Sequence, residues 1–194
     1  MTFSKRPSDP GGPVDSGTGA DAAGAMPGVP GPAFRDAIAR VPSAVHVITT
    51  AGPAGRRGFT ATAFASVSDD PATILVCLNR KSGQNEAFRA NGVFAVNMMP
   101  ADAAALADVF AGRGGIVGEE RFAHGAWSVL LTGAPVLDGA PMALDCVLAD
   151  VVEMGTHAVM FGRVVAVRAI EAGSDQDQGV LIYRDRHYDK TRTP

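Results

Sequence analysis

A chain of 194 residues, 46% hydrophobic and 19% charged, has enough apolar material for one sizeable core, which sets aside the disordered and fibrous classes. Its net charge of −3 lacks the basic footprint of a nucleic-acid binder, so any anionic ligand must be held by local donors rather than by a global field. No apolar run approaches the ~20 residues of a membrane span and the N-terminus lacks a signal-peptide core, so a cytoplasmic protein without membrane or nucleic-acid partners is the expectation.

Residues 1–32 are rich in Gly, Pro, Ala, Ser and Asp and cannot bury enough apolar area to offset the entropy of ordering. This predicts a disordered tail ahead of a folded domain over 33–194. Phe34, Ile38 and Val41 fall at helical spacing, so Ala33–Arg40 is expected as a short amphipathic helix ended by Pro42. Ala44–Thr50 is a β-branched strand bounded by the turn AGPAGRRG. Phe59–Ser68 alternates apolar and small hydroxyl residues and is expected as one strand. Asp69-Asp70-Pro71 turns the chain into Thr73–Leu78, whose continuous apolar run predicts a strand buried on both faces. A helix at Gln84–Ala90, a strand at Val93–Met98 and a helix at Asp102–Ala111 follow. Residues 112–125 hold five glycines without periodicity, which predicts a surface loop. Strands are expected at Ala143–Glu153, His157–Ile170 and Gly179–Arg184, joined by Met154-Gly155-Thr156 and by the polar EAGSDQDQ. About seven strands with short connections predict a mainly β protein: an antiparallel closed sheet, a barrel plugged by two or three short helices. Neither βαβ alternation nor a GxGxxG motif is present.

Three places could carry chemistry. Thr60-Ala61-Thr62-Ala63 puts short side chains where a strand normally carries bulk, which either opens a slot for a flat ligand or faces a packed helix or a second subunit. Asn79-Arg80-Lys81-Ser82-Gly83 follows an apolar strand and precedes a helix; it is a phosphate cradle or an ordinary charged turn with Ser82 as a cap. His157 stands where a turn meets an apolar strand and could touch a ligand or be structural. His46, inside AVHVITT, reads as structural or partly exposed. Cys77 and Cys146 sit in apolar runs and read as buried small hydrophobes rather than a disulfide. No GxSxG, HExxH or Cys/His zinc spacing occurs, so neither hydrolase chemistry nor a metal is expected.

In order and spacing, GFTATAFASVSDDPATILVCLNRKSG, FAVN, ADVFAG, ERF, LTGAPVLDGAPMALDCVLADVVEMGTHAVMFGRVVAV and VLIYRDRHY resemble the flavin reductase family with the FMN-binding split β-barrel. The likeness spans roughly residues 34–189 and is nearest to the reductase components of two-component flavin-dependent monooxygenases. GPAGRRGFTATA followed by LVCLNR is similar to the pyrimidine-utilisation branch. The resemblance implies a homodimer that uses NADH or NADPH to reduce FMN, or FAD, for a partner monooxygenase. It implies that Thr60, Ala61, Thr62 and Ala63 line the isoalloxazine. Leu78, Asn79, Arg80, Lys81 and Ser82 would embrace the ribityl chain and phosphate. Phe110 would border the flavin, His157 the nicotinamide pocket, and Tyr188 the same mouth. Arg113, in the variable loop, is a further candidate for the phosphate. A corrin-ring reductase of similar plan, a non-catalytic flavin or haem-binding barrel and a structural dimerisation domain stand as alternatives.

Overall fold

The computed structural model describes residues 27–171 and 179–191. Most of the expected tail, residues 1–26, and all but the first residue of EAGSDQDQ lie outside the described residues. Helix α1 (Gly31–Ile38) belongs to a unit separate from the compact one that runs from Ala39 onward. It begins two residues before the expected start, because Pro32 is tolerated in a first turn, where its missing N–H has no helical partner to lose.

A seven-stranded antiparallel sheet carries the second unit. Its strands are β2 (His46–Thr50), β3 (Arg57–Ala61), β4 (Phe64–Asp69), β5 (Ala72–Asn79), β6 (Val93–Met98), β9 (Met142–Met154) and β10 (His157–Ala169), in the spatial order β3-β2-β6-β9-β10-β5-β4. β3 and β4 are consecutive in the chain yet form opposite edges, with only Thr62 and Ala63 between them. Three residue steps reach at most ~11 Å, so the sheet must curl until its edges face each other. The edges do not pair. Instead Cys77 N–H donates to the Ala63 carbonyl (3.2 Å) and Phe64 N–H to the Thr62 carbonyl (3.1 Å). The expected closed sheet is therefore corrected to a curled sheet with an unpaired seam, and the expected single strand Phe59–Ser68 to two strands broken at that seam. The physical reason is that β3 pairs with β2 while β4 pairs with β5, so the chain must change neighbours at residues 62 and 63.

The expected strand Ala44–Thr50 is also divided. β1 (Ser43–Ala44) joins a three-stranded sheet with β11 (Leu181–Arg184) and β12 (His187–Lys190). Val45 is the joint: its N–H donates to Leu181 and its carbonyl accepts from Met99, both at 2.9 Å. Helices α2 (Asn85–Asn91) and α3 (Ala104–Phe110) stand close to their expected places. The 112–125 segment is not a plain surface loop, since it makes two 3-10 turns and buries Arg121 and Phe122. Phe122 packs edge-on to Phe110 at 5.3 Å and to Trp127 at 5.2 Å, which draws the segment inward. A hairpin of β7 (Trp127–Val129) and β8 (Pro135–Leu137), and β12, were not foreseen; each is only three or four residues long.

Ile48, Phe59, Val76, Phe94, Val96 and Met160 form the apolar centre of the curled sheet, with Phe88 of α2 packed among them. Two polar groups at its middle, Asp145 and Asn97, are fully engaged. Asp145, fully buried, accepts from Leu131 N–H and Thr132 N–H (2.8 Å each) and from the Thr132 hydroxyl. Asn97 donates to the Val47 carbonyl (3.0 Å) and accepts from Leu137 N–H (2.8 Å). Cys146 beside Asp145 is a buried free thiol, pushed up to about 12 by burial and by the neighbouring carboxylate. Cys77, expected to be buried, is half-exposed.

Candidate functional site

Strand register brings the separate candidate segments together. His157, first in β10, lies opposite Asn79, last in β5. Arg80 N–H donates to the Thr156 carbonyl (2.9 Å), which fastens the β9–β10 turn to the turn after β5. Across the seam stand Phe59 to Ala63 and the end of α3. Between these walls lies a cavity of about 430 Å³, lined by Thr60, Ala61, Thr62, Ala63, Leu78, Asn79, Ser82, Phe110 and His157. Phe59, Cys77, Gln84, Ala111 and Arg121 complete the lining. Sites for small ligands and cofactors commonly enclose ~300–1,000 Å³.

The seam leaves the cavity wall thin. Thr60 does not offer its hydroxyl to the cavity, because it donates to the Ala107 carbonyl of α3 (2.6 Å). Thr62 and Ala63 are exposed and carry little bulk. Gly58, just before, is required by packing: a Cβ there would stand 2.6 Å from the Phe110 ring. The glycine thus lets the buried Phe110 close over β3 beside the cavity.

After β5 the chain makes a tight turn. Ser82 N–H donates to the Asn79 carbonyl (2.9 Å), and the Asn79 side chain accepts from Lys81 N–H (2.9 Å). Asn85 Nδ2 donates to the carbonyls of Asn79 (2.9 Å) and Ser82 (2.8 Å). The N-cap of α2 is Gln84, without a side-chain cap bond, so Ser82 is not the helix cap of the alternative reading; its hydroxyl accepts only a long 3.4 Å bond from Gln84 N–H. Arg80 and Lys81 do not line the cavity. Arg80 is turned to Glu153 (2.8 Å) and to the Gly155 carbonyl (3.1 Å). His157 is exposed, and its Nδ1 is 2.9 Å from the Thr156 hydroxyl, which leaves Nε2 as the nitrogen free to meet a ligand.

Tyr188 lines a smaller neighbouring cavity of about 170 Å³ with Tyr183, Arg113 and Val45. Thr60, Ala61, Thr62 and Ala111 are common to both cavities. The Tyr188 hydroxyl donates to Asp108 Oδ1 (2.9 Å), which also pairs with Arg113 (2.9 Å). Burial first, then the bond to Asp108, pushes the phenol up to about 12, so it stays a donor. Arg113 is thus committed to a carboxylate.

Sequence reasoning gave no role to Arg121. The ERF triplet was visible, but an arginine within a glycine-rich stretch carries no sign that it will be buried. His46 is 2% exposed, its ring stacks on Phe64 at 4.6 Å, and neither ring nitrogen has a hydrogen-bond partner. Burial lowers its pKa to about 4, opposed in part by the nearby Ala44 backbone, which does not reach hydrogen-bond geometry. Among the described residues no group of three or more His, Cys, Asp or Glu could hold a metal, and no helix is long and apolar enough to cross a membrane.

Comparison with known proteins gives a consistent result. The FMN reductase (NADH) RutF of Ancylobacter novellus is 48% identical over 155 residues, 80% of this chain and 82% of that protein. BorF, the flavin reductase component of a bacterial two-component tryptophan halogenase, matches with a TM-score of 0.74 and 25% identity over 83% of this chain and 98% of BorF. The NADH:FAD oxidoreductase SgcE6 of Streptomyces globisporus, solved with NAD and FAD fragments, matches with a TM-score of 0.73 and 25% identity over 82% of this chain and 91% of SgcE6. The family described as flavin reductase like domain matches residues 38–192. With most of its length inside that match, this chain belongs to the flavin reductase-like domain family.

Proposed function

We propose that this chain is an NADH-dependent FMN reductase that hands reduced flavin to a partner monooxygenase, within a homodimer and in pyrimidine-ring breakdown. The observation that carries the reading is the cavity at the seam. Its walls of Thr62 and Ala63 leave space for a flat ring, and the Asn79–Ser82 turn offers polar groups at one side. The similarity to an FMN reductase that uses NADH supports the same choice of cofactor and co-substrate. Bound FMN would supply the acceptor for a hydride from the nicotinamide. The residues bind and orient. Ser82 and Asn79 would hold the phosphorylated arm, Phe110 would border the ring, and His157 Nε2 would orient the nicotinamide amide. No strong acid or base is required, since positioning accounts for much of such a barrier. A flavin that must leave again is held at about micromolar affinity, roughly −8 kcal/mol.

Purified protein mixed with FMN should oxidise NADH faster than NADPH, and should show an oxidised-flavin spectrum that bleaches anaerobically. A Soret band, or no binding of added FMN, would overturn the assignment.

A further inference from the structure

Arg121 is a buried charge without an opposite charge. It is 8% exposed, on the second 3-10 turn of the 112–125 segment. Its Nε donates to the Ile116 carbonyl (3.0 Å), and its Nη1 donates to the carbonyls of Gly58 (2.9 Å) and Phe110 (3.2 Å). No carboxylate is among these partners. Glu119, two residues before it, is engaged instead with Arg56 N–H (3.2 Å). Nη2 takes part in none of these bonds, and Arg121 lines the seam cavity.

Removing a guanidinium from water is costly unless it is paired and hydrogen-bonded. An arginine does not escape that cost by losing its proton. Three carbonyls satisfy part of its donor set but leave the net charge uncompensated. A chain at −3 has no excess of cations to share, and the other arginines near the cavity are already spoken for: Arg80 by Glu153 and Arg113 by Asp108. Among the described residues Arg121 is the only lysine or arginine that lines the cavity, since Lys81 stands outside it, and no acid holds it, so it is placed to take an anion from a ligand.

We propose that Arg121 is the counter-cation of the flavin: its guanidinium holds an anionic oxygen of the bound cofactor. This rests on the FMN reading above. Two parts of the cofactor can supply that oxygen. One is the terminal phosphate. The other would be the ring edge at N1 and the C2 oxygen, where a bound flavin would carry negative charge after accepting a hydride, two electrons and one proton, from the nicotinamide, leaving NAD⁺. Charge-assisted bonds of this kind are the stronger ones, and a fixed cation at developing charge favours the reduced ring.

The test compares wild type with Arg121→Lys and Arg121→Gln for binding of FMN and riboflavin, each oxidised and reduced under anaerobic conditions. Circular dichroism and melting curves check the fold. If the phosphate is the partner, Arg121→Gln weakens oxidised FMN at least tenfold, changes riboflavin little, and Arg121→Lys restores part of the loss. If the ring is the partner, both variants bind oxidised riboflavin normally but lose at least tenfold on the reduced form, so the midpoint potential of the bound flavin falls. Folded variants that bind all four ligands like wild type overturn the proposal, and so does an equal loss on all four. If neither variant folds, wild type carries the test: equal affinity for FMN and riboflavin, and for their oxidised and reduced forms, shows that no anion is held. Wild type that binds no flavin refutes the FMN reading itself.

Discussion

At the centre of the sheet Asp145 takes three donors from Leu131 and Thr132, and Asn97 is bonded on both sides of its amide. At the seam, the exposed Thr62 hydroxyl and the Arg121 Nη2 enter no comparable network, and Cys77 and His157 stand partly or fully exposed. Both regions belong to one sheet and are joined by continuous strands. At the centre the molecule finishes its own bonding; at the seam it leaves capacity for something else. Unmade bonds in a buried setting are expensive; at the seam that cost applies to Arg121, 8% exposed, while the exposed Thr62 and His157 set further polar groups along the same cavity where a ligand can reach them.

The contrast breaks most easily at Asp145. Asp145→Ala leaves the Leu131 and Thr132 N–H groups and the Thr132 hydroxyl without their acceptor and removes a fully buried side chain from the middle of the sheet. The expected cost is about 3–5 kcal/mol of stability, read as a lower urea midpoint. Flavin affinity of the fraction that stays folded should not change. A weakened affinity would mean that the centre is part of the site.

His46 lies between the two regions in character, buried like the centre but with both nitrogens unpartnered like the seam. Its pKa is near 4 when folded and 6.5 when not. Between those values the unfolded chain holds a proton that the folded one lacks, so stability is full above pH 6.5 and declines as pH falls toward 4. At about 1.4 kcal/mol per pH unit, the loss reaches about 3 kcal/mol at pH 4. Urea midpoints at pH 7 and pH 5 should therefore differ in wild type and lie closer together in His46→Phe. An equal slope in the variant would take His46 out of the account.

Gly58→Ala should cost about 1–3 kcal/mol by overpacking. The new methyl would meet the Phe110 ring at 2.6 Å and 2.8 Å and the Ile48 carbonyl at 3.1 Å. Phe110 is 1% exposed and backed by Phe122 and Trp127, so a displaced ring must press on those two rings or move into the cavity that it lines. Weaker flavin binding should accompany the loss of stability, unlike at Asp145. Full stability in this variant would show that the Phe110 ring has room the packing does not suggest.

How much of this was legible in the sequence depends on the range of the contacts. Strands with long apolar or alternating runs, such as Thr73–Leu78 and His157–Ile170, declared themselves, because side-chain periodicity is local. The Thr60–Ala63 and Asn79–Ser82 segments stood out as residue types at odds with their surroundings. Their meeting with His157 was not local, and depended on β5 pairing with β10. The seam was hidden, because a run of alternating residues looks the same whether its two halves share a neighbour or exchange one. Arg121 was hidden more deeply: its burial follows from Phe122 docking on Phe110 and Trp127, three aromatics separated in the chain. Arg80 and Tyr188 show the converse. Their motifs were visible, but Glu153 draws the one aside and Asp108 fixes the other at the smaller cavity.

The smallest expected effects fall on the side chains that touch ligands without holding the fold. Ser82→Ala removes one hydroxyl from an exposed turn whose backbone bonds, Ser82 N–H to Asn79 and Asn85 to Ser82, do not involve it. Stability should stay within about 0.5 kcal/mol. Affinity for FMN should fall about tenfold, or about 1.4 kcal/mol, with riboflavin affected much less. Equal weakening of both ligands would remove Ser82 from the phosphate. His157→Ala is the complementary case. Its exposed ring is tied only to Thr156, so FMN affinity should hold while anaerobic reduction of bound FMN by NADH slows several-fold. The two variants together decide whether the turn and the histidine serve different molecules. If His157→Ala weakens FMN and leaves the reduction rate of the saturated protein unchanged, the histidine belongs to the flavin's own pocket, and the nicotinamide must be oriented from the other wall of the seam.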